Sequence, residues 1–272
     1  MTLETTQGLK VIRPQGYGIR YAIRTFRTWW YAAWLRTLGR FSRTYLGSFW
    51  IGLTNLLSVL LLGFVYGVVF TVKDPVAYFM FLAVGVTIWG FIAESLSSAS
   101  SLFVRRGQQM KNNRLAPIFF CLEEWAFQLQ CFAQALAFVV LVLALIKPTI
   151  LLSALSSALL PIINLIVFVF WMMLACSMLG ACFKDFAQFL PIFLQLSFLV
   201  SPILYPKKAL GAHSYIADFN PFYRALSPVR RAILENQVSL EVQIPAFFFN
   251  LLIAWLLMYL IHRLRYRIAL WS

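Results

Sequence analysis

The stretch SLFVRRGQQMKNNRLAPIFF, residues 101–120, is a polar and basic interruption between two long runs of apolar and small residues. Each of these runs is long enough for a helix that rises about 1.5 Å per residue to cross a hydrocarbon core of about 30 Å. Charged side chains are costly to place in lipid, so the basic part of the stretch must lie outside the bilayer. The stretch therefore predicts a membrane-spanning helix on each side of it.

The composition of the chain is that of an integral membrane protein. Of its 272 residues, 61% are hydrophobic and only 12% are charged, whereas about a quarter of the residues in a soluble domain are charged. The four cysteines lie inside or beside apolar runs, with no C-x-x-C pair and no neighbouring histidine. We interpret them as small buried apolar side chains and predict no metal site.

Six apolar stretches are long enough to cross a bilayer as helices. The fourth is too long for a single crossing and contains Pro161 in its first half. Because a proline bends or breaks a helix, we expect the fourth span to begin near Leu159. We predict an all-α membrane protein, a single domain of residues 1–272 with six transmembrane helices. The expected spans are residues 44–72, 75–104, 125–146, 148–183, 186–206 and 242–261.

The distribution of lysine and arginine residues predicts the orientation of these spans. An even number of spans places both termini on one side of the membrane, and cations are enriched on the cytoplasmic side. Most of the lysines and arginines lie in the N-terminal segment, in residues 105–114 and in the C-terminal tail. We therefore expect both termini and the quoted stretch to be cytoplasmic, with the cations of residues 207–240 as an external exception.

Residues 17–43 are predicted to form an arm at the membrane interface. Its first three arginines are spaced by four and three residues and share one helical face, and its aromatic side chains suit the headgroup boundary. Its last three arginines have the same spacing but would lie on the opposite face of a straight helix. We therefore expect a bend between Trp34 and Gly39. The two triads are Arg20, Arg24 and Arg27, then Arg36, Arg40 and Arg43.

One carboxylate and several aromatic side chains in the first two spans are candidates for contact with a transported molecule. Glu94 lies well inside the second span, where a charge costs about 2.5–3.5 kcal/mol, so we expect it to face protein or water. It serves either as a substrate or arginine contact or as a structural hydrogen bond between helices. The aromatic side chains either pack against lipid and protein or stack on sugar rings. These aromatic candidates are Phe64, Tyr66, Phe70 and Trp89.

Four ordered stretches carry a family resemblance. They are LGRFSRTYLGSFWIGLTNLL at 38–57, AVGVTIWGFIAESLSSASSLF at 83–103, SPILYP at 201–206 and NPFYRALSPVRRAIL at 220–234. Together they resemble the ABC-2 type permeases that export polysaccharides, the membrane subunits for lipid-linked O-antigen, capsule and teichoic-acid-like polymers. The resemblance extends in order over nearly the whole chain.

The resemblance implies a homodimer in the bacterial inner membrane whose first and fifth spans border a translocation path. A separate pair of cytoplasmic ABC ATPase subunits powers it, and the remaining partners are the lipid-linked polysaccharide and membrane lipids, with no nucleic acid. The sequence independently lacks a G-x-x-x-x-G-K-[ST] phosphate-binding loop. We therefore expect no cofactor in this chain, with ATP and Mg²⁺ held by the partner ATPase, and no enzymatic activity of its own.

The resemblance also assigns roles to the two basic segments. Residues 106–115 occupy the place of a cytoplasmic coupling helix that docks into the ATPase, and Pro117 is expected to end that segment. The last triad of the arm, Arg36, Arg40 and Arg43, is expected to lie near lipid phosphates or a pyrophosphate headgroup, where guanidinium groups bind well. The expected docking residues are Arg106, Gln108, Gln109, Lys111, Asn112, Asn113 and Arg114.

The external segment, residues 205–240, takes the place of two short re-entrant helices that close the outer mouth in this family. Four prolines are expected to break it into pieces of suitable length: Pro202, Pro206, Pro221 and Pro228. Its cations are expected to contact anionic lipid or glycan. The residues assigned to this external gate are Tyr205, Asn220, Phe222, Arg230 and Arg231.

Other functions are weighed against the export of an O-antigen-like glycan. A capsule exporter looks the same at this level, and an ABC-2 exporter of drugs or small lipids would keep the architecture. An enzyme that processes a polyprenyl phosphate would need carboxylates at the membrane face, whereas the cytoplasmic acids are few and no D-x-D pair occurs. A passive channel gives the polar stretch of residues 101–120 no purpose.

Overall fold

The computed structural model describes residues 19–40, 45, 47, 49–69, 73–112, 115–264 and 268. These residues are mostly helical and contain no strand, which confirms the predicted all-α membrane fold. The helices are α1 (Ile19–Arg24), α2 (Phe26–Arg40), α3 (Phe49–Val69), α4 (Pro75–Ser100), α5 (Leu102–Asn112), α6 (Pro117–Ile146), α7 (Thr149–Leu155), α8 (Leu159–Cys182), α9 (Phe186–Val200), α10 (Tyr215–Phe219), α11 (Pro221–Glu235) and α12 (Leu240–Arg263). A 3-10 helix, Lys207–His213, precedes α10.

The helix bundle has two distinct ends. At one end, α1, α2 and α5 pack against the first turns of α6, and we call this the arm end. At the other end, α11 packs against α7 and against the cap-side halves of α4 and α8, where the Ser157 hydroxyl donates to the Ala232 carbonyl over 2.9 Å. We call the end with α7, α10 and α11 the cap end.

Five helices, α3, α4, α6, α8 and α12, are long and apolar enough to cross a membrane. The helix α8 begins at Leu159, as predicted from the position of Pro161. The expected fifth span, residues 186–206, is different, because α9 has only 15 residues and stops at Val200. At 1.5 Å per residue, it reaches only about 22 Å. The cause is Pro202, which favours the extended conformation that the structure shows at Ser201.

The third span also differs from its expected bounds of 125–146. The helix α6 begins at Pro117, which occupies the first helical position after an extended Ala116 and therefore starts this helix rather than only ending the preceding loop. As a result, Glu123 and Glu124 lie on a long apolar helix and are buried. The expected third span, which started at residue 125, left both carboxylates outside the spanning helix.

The expected bend between Trp34 and Gly39 is absent, since α2 continues unbroken to Arg40. The arm instead breaks at Thr25, whose hydroxyl donates to the Tyr21 carbonyl over 2.7 Å, and such bonds compete with regular helix geometry. A straight α2 carries cations on two faces because one of those faces packs against α6 and not against lipid. Its buried residues are Trp29, Ala33 and Thr37.

The proline-broken external segment is only partly as expected. Pro221 does begin a helix, but Pro228 lies inside α11 without ending it. The loss of one backbone hydrogen bond at Pro228 is tolerated because α11 is held by a buried face that includes Leu226, Val229 and Ile233.

The centre of the bundle is α4, which contacts α3, α6, α8, α9 and α11. Its most buried large side chains are Leu82, Ile88, Ile92 and Leu96. At the arm end, α4 and α8 approach so closely that a Cβ atom on Gly180 would overlap the backbone carbonyl of Ser100. Only glycine fits at this crossing.

We predict that Gly180→Ala will lower the free energy of unfolding by about 1–3 kcal/mol, because the overlapped atom is backbone and cannot turn aside. Gly90→Ala is the matched control in α4, since a Cβ there meets no atom within 4 Å. Alanine is the better helix former, so the control should be neutral or stabilising by up to about 1 kcal/mol. Unfolding by sodium dodecyl sulfate, followed by helical circular dichroism, measures both. Equal effects of the two changes would contradict the close crossing.

Candidate functional site

A cavity of about 580 Å³ opens between α3, α4, α6 and α9, and we call it the α3–α9 cavity. Its walls combine aromatic rings with polar side chains, although the surrounding helices are mostly apolar. The aromatic members are Trp50, Trp89, Phe91, Phe132 and Phe198, and the polar members include Arg40, Asn55, Thr87, Glu94, Gln128 and Gln195.

Two of the residues predicted to face a translocation path, Trp89 and Glu94, line this cavity. Glu94 is exposed on the wall of this cavity. Phe64 is 74% exposed on the outer side of α3, and Tyr66 packs against the core; neither lines the cavity. Phe70 lies outside the described residues. The structure therefore brings together only part of the predicted set.

The sequence interpretation missed the amides of the cavity. The Asn55 amide donates to the Thr87 hydroxyl over 2.6 Å, and the Gln128 amide donates to the Ser98 hydroxyl over 3.2 Å. Gln195 is exposed on α9 in the same cavity. The sequence did contain a signal for these amide side chains, since they occur inside apolar spans. Asn and Gln are costly there unless they face protein or water.

Two adjacent carboxylates of α6, Glu123 and Glu124, connect three helices at the arm end, and we call them the glutamate pair. Arg36 of α2 donates two hydrogen bonds to Glu124, of 2.6 and 3.2 Å. Arg106 of α5 donates to Glu123 over 2.8 Å. The side chain of Glu124 is only 1% exposed. The glutamate pair thus links the arm, the first turns of α6 and the predicted coupling helix through charge-assisted hydrogen bonds.

These contacts revise the roles expected for two arginines. Arg36 was expected near a lipid phosphate, but its guanidinium lies on Glu124 and 4.0 Å from the centre of the Phe127 ring. Arg106 was expected on a docking surface, but it is held by Glu123 and Gln109. Arg40 does reach the α3–α9 cavity, and Arg43 lies outside the described residues.

The helix α5 has one buried and one exposed face. Phe103 and Met110 are buried, whereas Arg105, Gln108 and Gln109 are exposed. The helix begins at Leu102, four residues before the expected start of the coupling segment. The side chains of Lys111 and Asn112, and all of Asn113 and Arg114, lie outside the described part. The exposed face is polar and suits a wet protein interface.

At the cap end, Asn220 and Tyr205, two of the residues assigned to an external gate, bind nearby backbone and side chains. The Asn220 side chain caps α11, accepting from the amides of Phe222 and Tyr223 over 3.0 and 3.2 Å, and it donates to the Ser201 hydroxyl over 2.7 Å. The Tyr205 hydroxyl donates to the Val200 carbonyl over 2.9 Å. The contact of Phe222 with the Trp89 ring, centroid to centroid 5.6 Å, joins this end to the α3–α9 cavity.

Arg230 is buried and differs from its expected role as a lipid or glycan contact. It donates to the carbonyls of Pro202 and Ile203 over 3.0 and 3.4 Å, and its guanidinium lies 3.8 Å from the centre of the Phe81 ring. A Cβ on Gly85 would overlap the guanidinium. Burial lowers the pKa of Arg230 to about 9. Its guanidinium thus provides hydrogen-bond donors to backbone carbonyls of the segment that follows the end of α9 at Val200.

The profile of the ABC-2 type transporters matches residues 28–234, which is most of the chain. The chain belongs to the ABC-2 type transporter family. No curated protein sequence matches it. The matched region includes α2 from Thr28 onward, α3 to α10 completely and α11 up to Leu234, so the α3–α9 cavity, the glutamate pair and Arg230 all lie within the ABC-2 region.

As an ABC-2 transporter, the chain is a multi-pass membrane component of an ABC transporter. The family implies that it pairs with a cytoplasmic ABC ATPase. At the arm end of this ABC-2 component, two arginine–glutamate pairs connect α2 and α5 to α6. The chain thus has a cavity with polar groups between its helices. It also has a charged link at the arm end, through the glutamate pair, between α6 and the polar surface helix α5.

Proposed function

We propose that the chain is the permease subunit of an ATP-driven exporter that moves a lipid-linked polysaccharide, of the O-antigen type, across the bacterial inner membrane. The observation that carries this proposal is the lining of the α3–α9 cavity. A capsular polysaccharide has the same chemistry and is the second candidate substrate.

The lining suits a sugar better than a drug or a small lipid. A pyranose has an apolar face that stacks on an aromatic ring and hydroxyl groups that need hydrogen-bond partners. The cavity supplies Trp50 and Trp89 for the first need and the exposed side chains of Glu94 and Gln195 for the second. A drug or a small lipid would offer few hydroxyl groups to the exposed side chains of Glu94 and Gln195.

The helices that flank the cavity support a homodimer. In α3, only 11% of the most apolar window is buried, compared with 56% in α4. The short helix α9, on the other flank, exposes Phe189, Ile192 and Leu196. A second copy placed against α3 and α9 would cover these side chains and enclose the open cavity. One protomer then supplies half of a continuous path.

In the proposed mechanism, the arm end is cytoplasmic, with both termini, and the ATPase docks on the exposed face of α5. Closure of the ATPase pair on ATP moves α5, and the bond from Arg106 to Glu123 passes that movement to α6. The bond from Glu124 to Arg36 passes it to the arm, whose Arg40 borders the cavity. Arg40 and Arg43 are the proposed contacts for the phosphate groups of the lipid carrier.

Deletion of the gene in its own host tests the substrate. We expect the polysaccharide to disappear from the cell surface and to accumulate as a lipid-linked polymer on the cytoplasmic side, measured by extraction and mass spectrometry. The wild-type gene should restore export. Unchanged surface glycan together with drug sensitivity or altered lipid export would contradict the polysaccharide and favour the other ABC-2 substrates.

We predict that the chain, extracted from its host in mild detergent, brings an ABC ATPase with it in equal amount. The double change Gln108→Asp and Gln109→Glu should reduce that recovery by at least about tenfold, because it places two negative charges on the exposed face of α5. The control is Gln188→Glu, at an exposed position in α9 near the same end. Quantitative mass spectrometry measures the ratio. Recovery of a stable chain without any ATPase would contradict the coupling role and favour a membrane enzyme.

A further inference from the structure

A second cavity, of about 480 Å³, lies between α8, α11 and α12 near the cap end, and we call it the α8–α12 groove. It shares no lining residue with the α3–α9 cavity. Two arginines of α11, Arg224 and Arg231, border it. They are seven residues apart, which is close to two helical turns, so both point to the same side of α11 at about 10 Å spacing along the axis.

The two arginines are available for a ligand. Both side chains are exposed, and neither forms a hydrogen bond or an ion pair with another described residue through its guanidinium. The carboxylate that lines the groove, Asp218, is paired with Lys207. Arg230, between them in sequence, turns into the protein. Among the residues that line the groove, the cations therefore outnumber the acids, since Asp218 is the only lining carboxylate in the described part of the chain; Glu235 and Glu241 lie nearby, outside the lining.

The interior of the groove has apolar side chains on two walls, beside its polar groups. Leu165 and Phe168 of α8 face Val242 and Phe249 of α12 across it. The outer surface of α12 suits acyl chains, because only 17% of its most apolar window is buried. The groove thus has a cationic rim near one membrane face and an apolar continuation toward the bilayer.

The polar groups in the floor of the groove mainly hold its two walls together. The Asn164 amide donates to Gln243 over 3.0 Å, and the Asn250 amide donates to Asn164 over 2.5 Å. The Trp171 indole donates to Asn250 over 3.0 Å. Because these side chains bind each other, fewer of their groups are left for the many hydroxyls of a glycan. This observation favours a lipid over a sugar as the occupant.

We propose that the α8–α12 groove binds an anionic glycerophospholipid from the leaflet at the cap end. Its phosphate lies between Arg224 and Arg231, where guanidinium groups form charge-assisted hydrogen bonds. One acyl chain lies along Phe168 and Phe249. The site goes beyond the proposed transport function and does not depend on which molecule is exported.

The test is native mass spectrometry of the delipidated protein in detergent, titrated with dioctanoyl phosphatidylglycerol or dioctanoyl phosphatidylcholine. We expect the anionic lipid to bind at least about fivefold more tightly. The double change Arg224→Gln and Arg231→Gln should abolish that preference. The double change to lysine should keep most of it, and Lys208→Gln, an exposed cation at the same end that does not line the groove, should leave it unchanged.

Several results would overturn the proposal. Equal binding of the two lipids, or an anionic preference that survives the double glutamine change, would remove the site. If inorganic phosphate at similar concentration displaced the lipid completely, the groove would be a simple anion site. If the host glycan bound to the groove and neither lipid did, the groove would be a sugar site. The lysine variant controls for folding, since it retains both charges and side chains of similar length.

Discussion

Replacing Glu124 by alanine will lower the free energy of unfolding by about 3 kcal/mol and will stop ATP-dependent transport. The carboxylate is 1% exposed and accepts two hydrogen bonds from Arg36. Removal of one partner of a buried ion pair leaves the other charge without compensation, which costs about 3–5 kcal/mol. The lower end applies because Arg36 is 30% exposed and keeps some water. Unfolding by sodium dodecyl sulfate measures the stability.

The neighbouring change Glu123→Ala is the matched control for Glu124→Ala. Its bond to Arg106 is single, and the Glu123 side chain is 11% exposed compared with 1% for Glu124, so we expect a loss of about 1 kcal/mol. The double change Arg36→Ala with Glu124→Ala should cost less than the sum of the single changes, because the uncompensated charge is gone. Additive losses, or equal effects of Glu123→Ala and Glu124→Ala, would contradict the importance of the buried pair.

Replacing Arg230 by alanine should have the largest effect on stability, about 4 kcal/mol. The change leaves the carbonyls of Pro202 and Ile203 without their donors and removes a guanidinium from the Phe81 ring. Hydrogen bonds to a charged group contribute about 1.5–3 kcal/mol each, and the empty volume adds to the loss. The same detergent titration measures the effect.

The adjacent residue gives a sharp control for Arg230→Ala. Arg231 is exposed, and its removal should change the free energy of unfolding by no more than about 0.5 kcal/mol. Gly85→Ala should partly reproduce the loss at Arg230, since its new methyl group would displace the guanidinium. A stable Arg230→Ala variant would show that the carbonyls of residues 202–203 find other partners.

The membrane architecture could be predicted from the sequence because apolar length alone decides which segments leave water. The start of α8 at Leu159 followed from one proline and the thickness of a bilayer. The short α9 could not be predicted in this way, because apolar residues continue past Ser201 after the helix has ended. After the helix ends, the Pro202 carbonyl accepts a hydrogen bond from Arg230, a side chain about thirty residues further along the chain.

The charged contacts depend on helix packing that the composition of a segment does not reveal. Arg230 and Arg231 are adjacent and chemically identical, yet one is buried and the other exposed. The spacing in the sequence does indicate which of the two is buried. Arg230 follows the buried Leu226 by four residues and precedes the buried Ile233 by three, so it shares their helical face. The glutamate pair was visible in the sequence, but its partners lie 88 and 17 residues away.

ATP-dependent protection of a lipid-linked polysaccharide in proteoliposomes measures export directly. The permease and its ATPase are reconstituted with the ATPase facing outward, and labelled lipid-linked glycan from the host is added to the outer leaflet. With ATP, the glycan should become protected from an impermeant glycosidase, and neither a non-hydrolysable analogue nor Glu124→Ala should allow this protection. If ATP is hydrolysed while the glycan stays fully accessible, the chain is not a polysaccharide exporter.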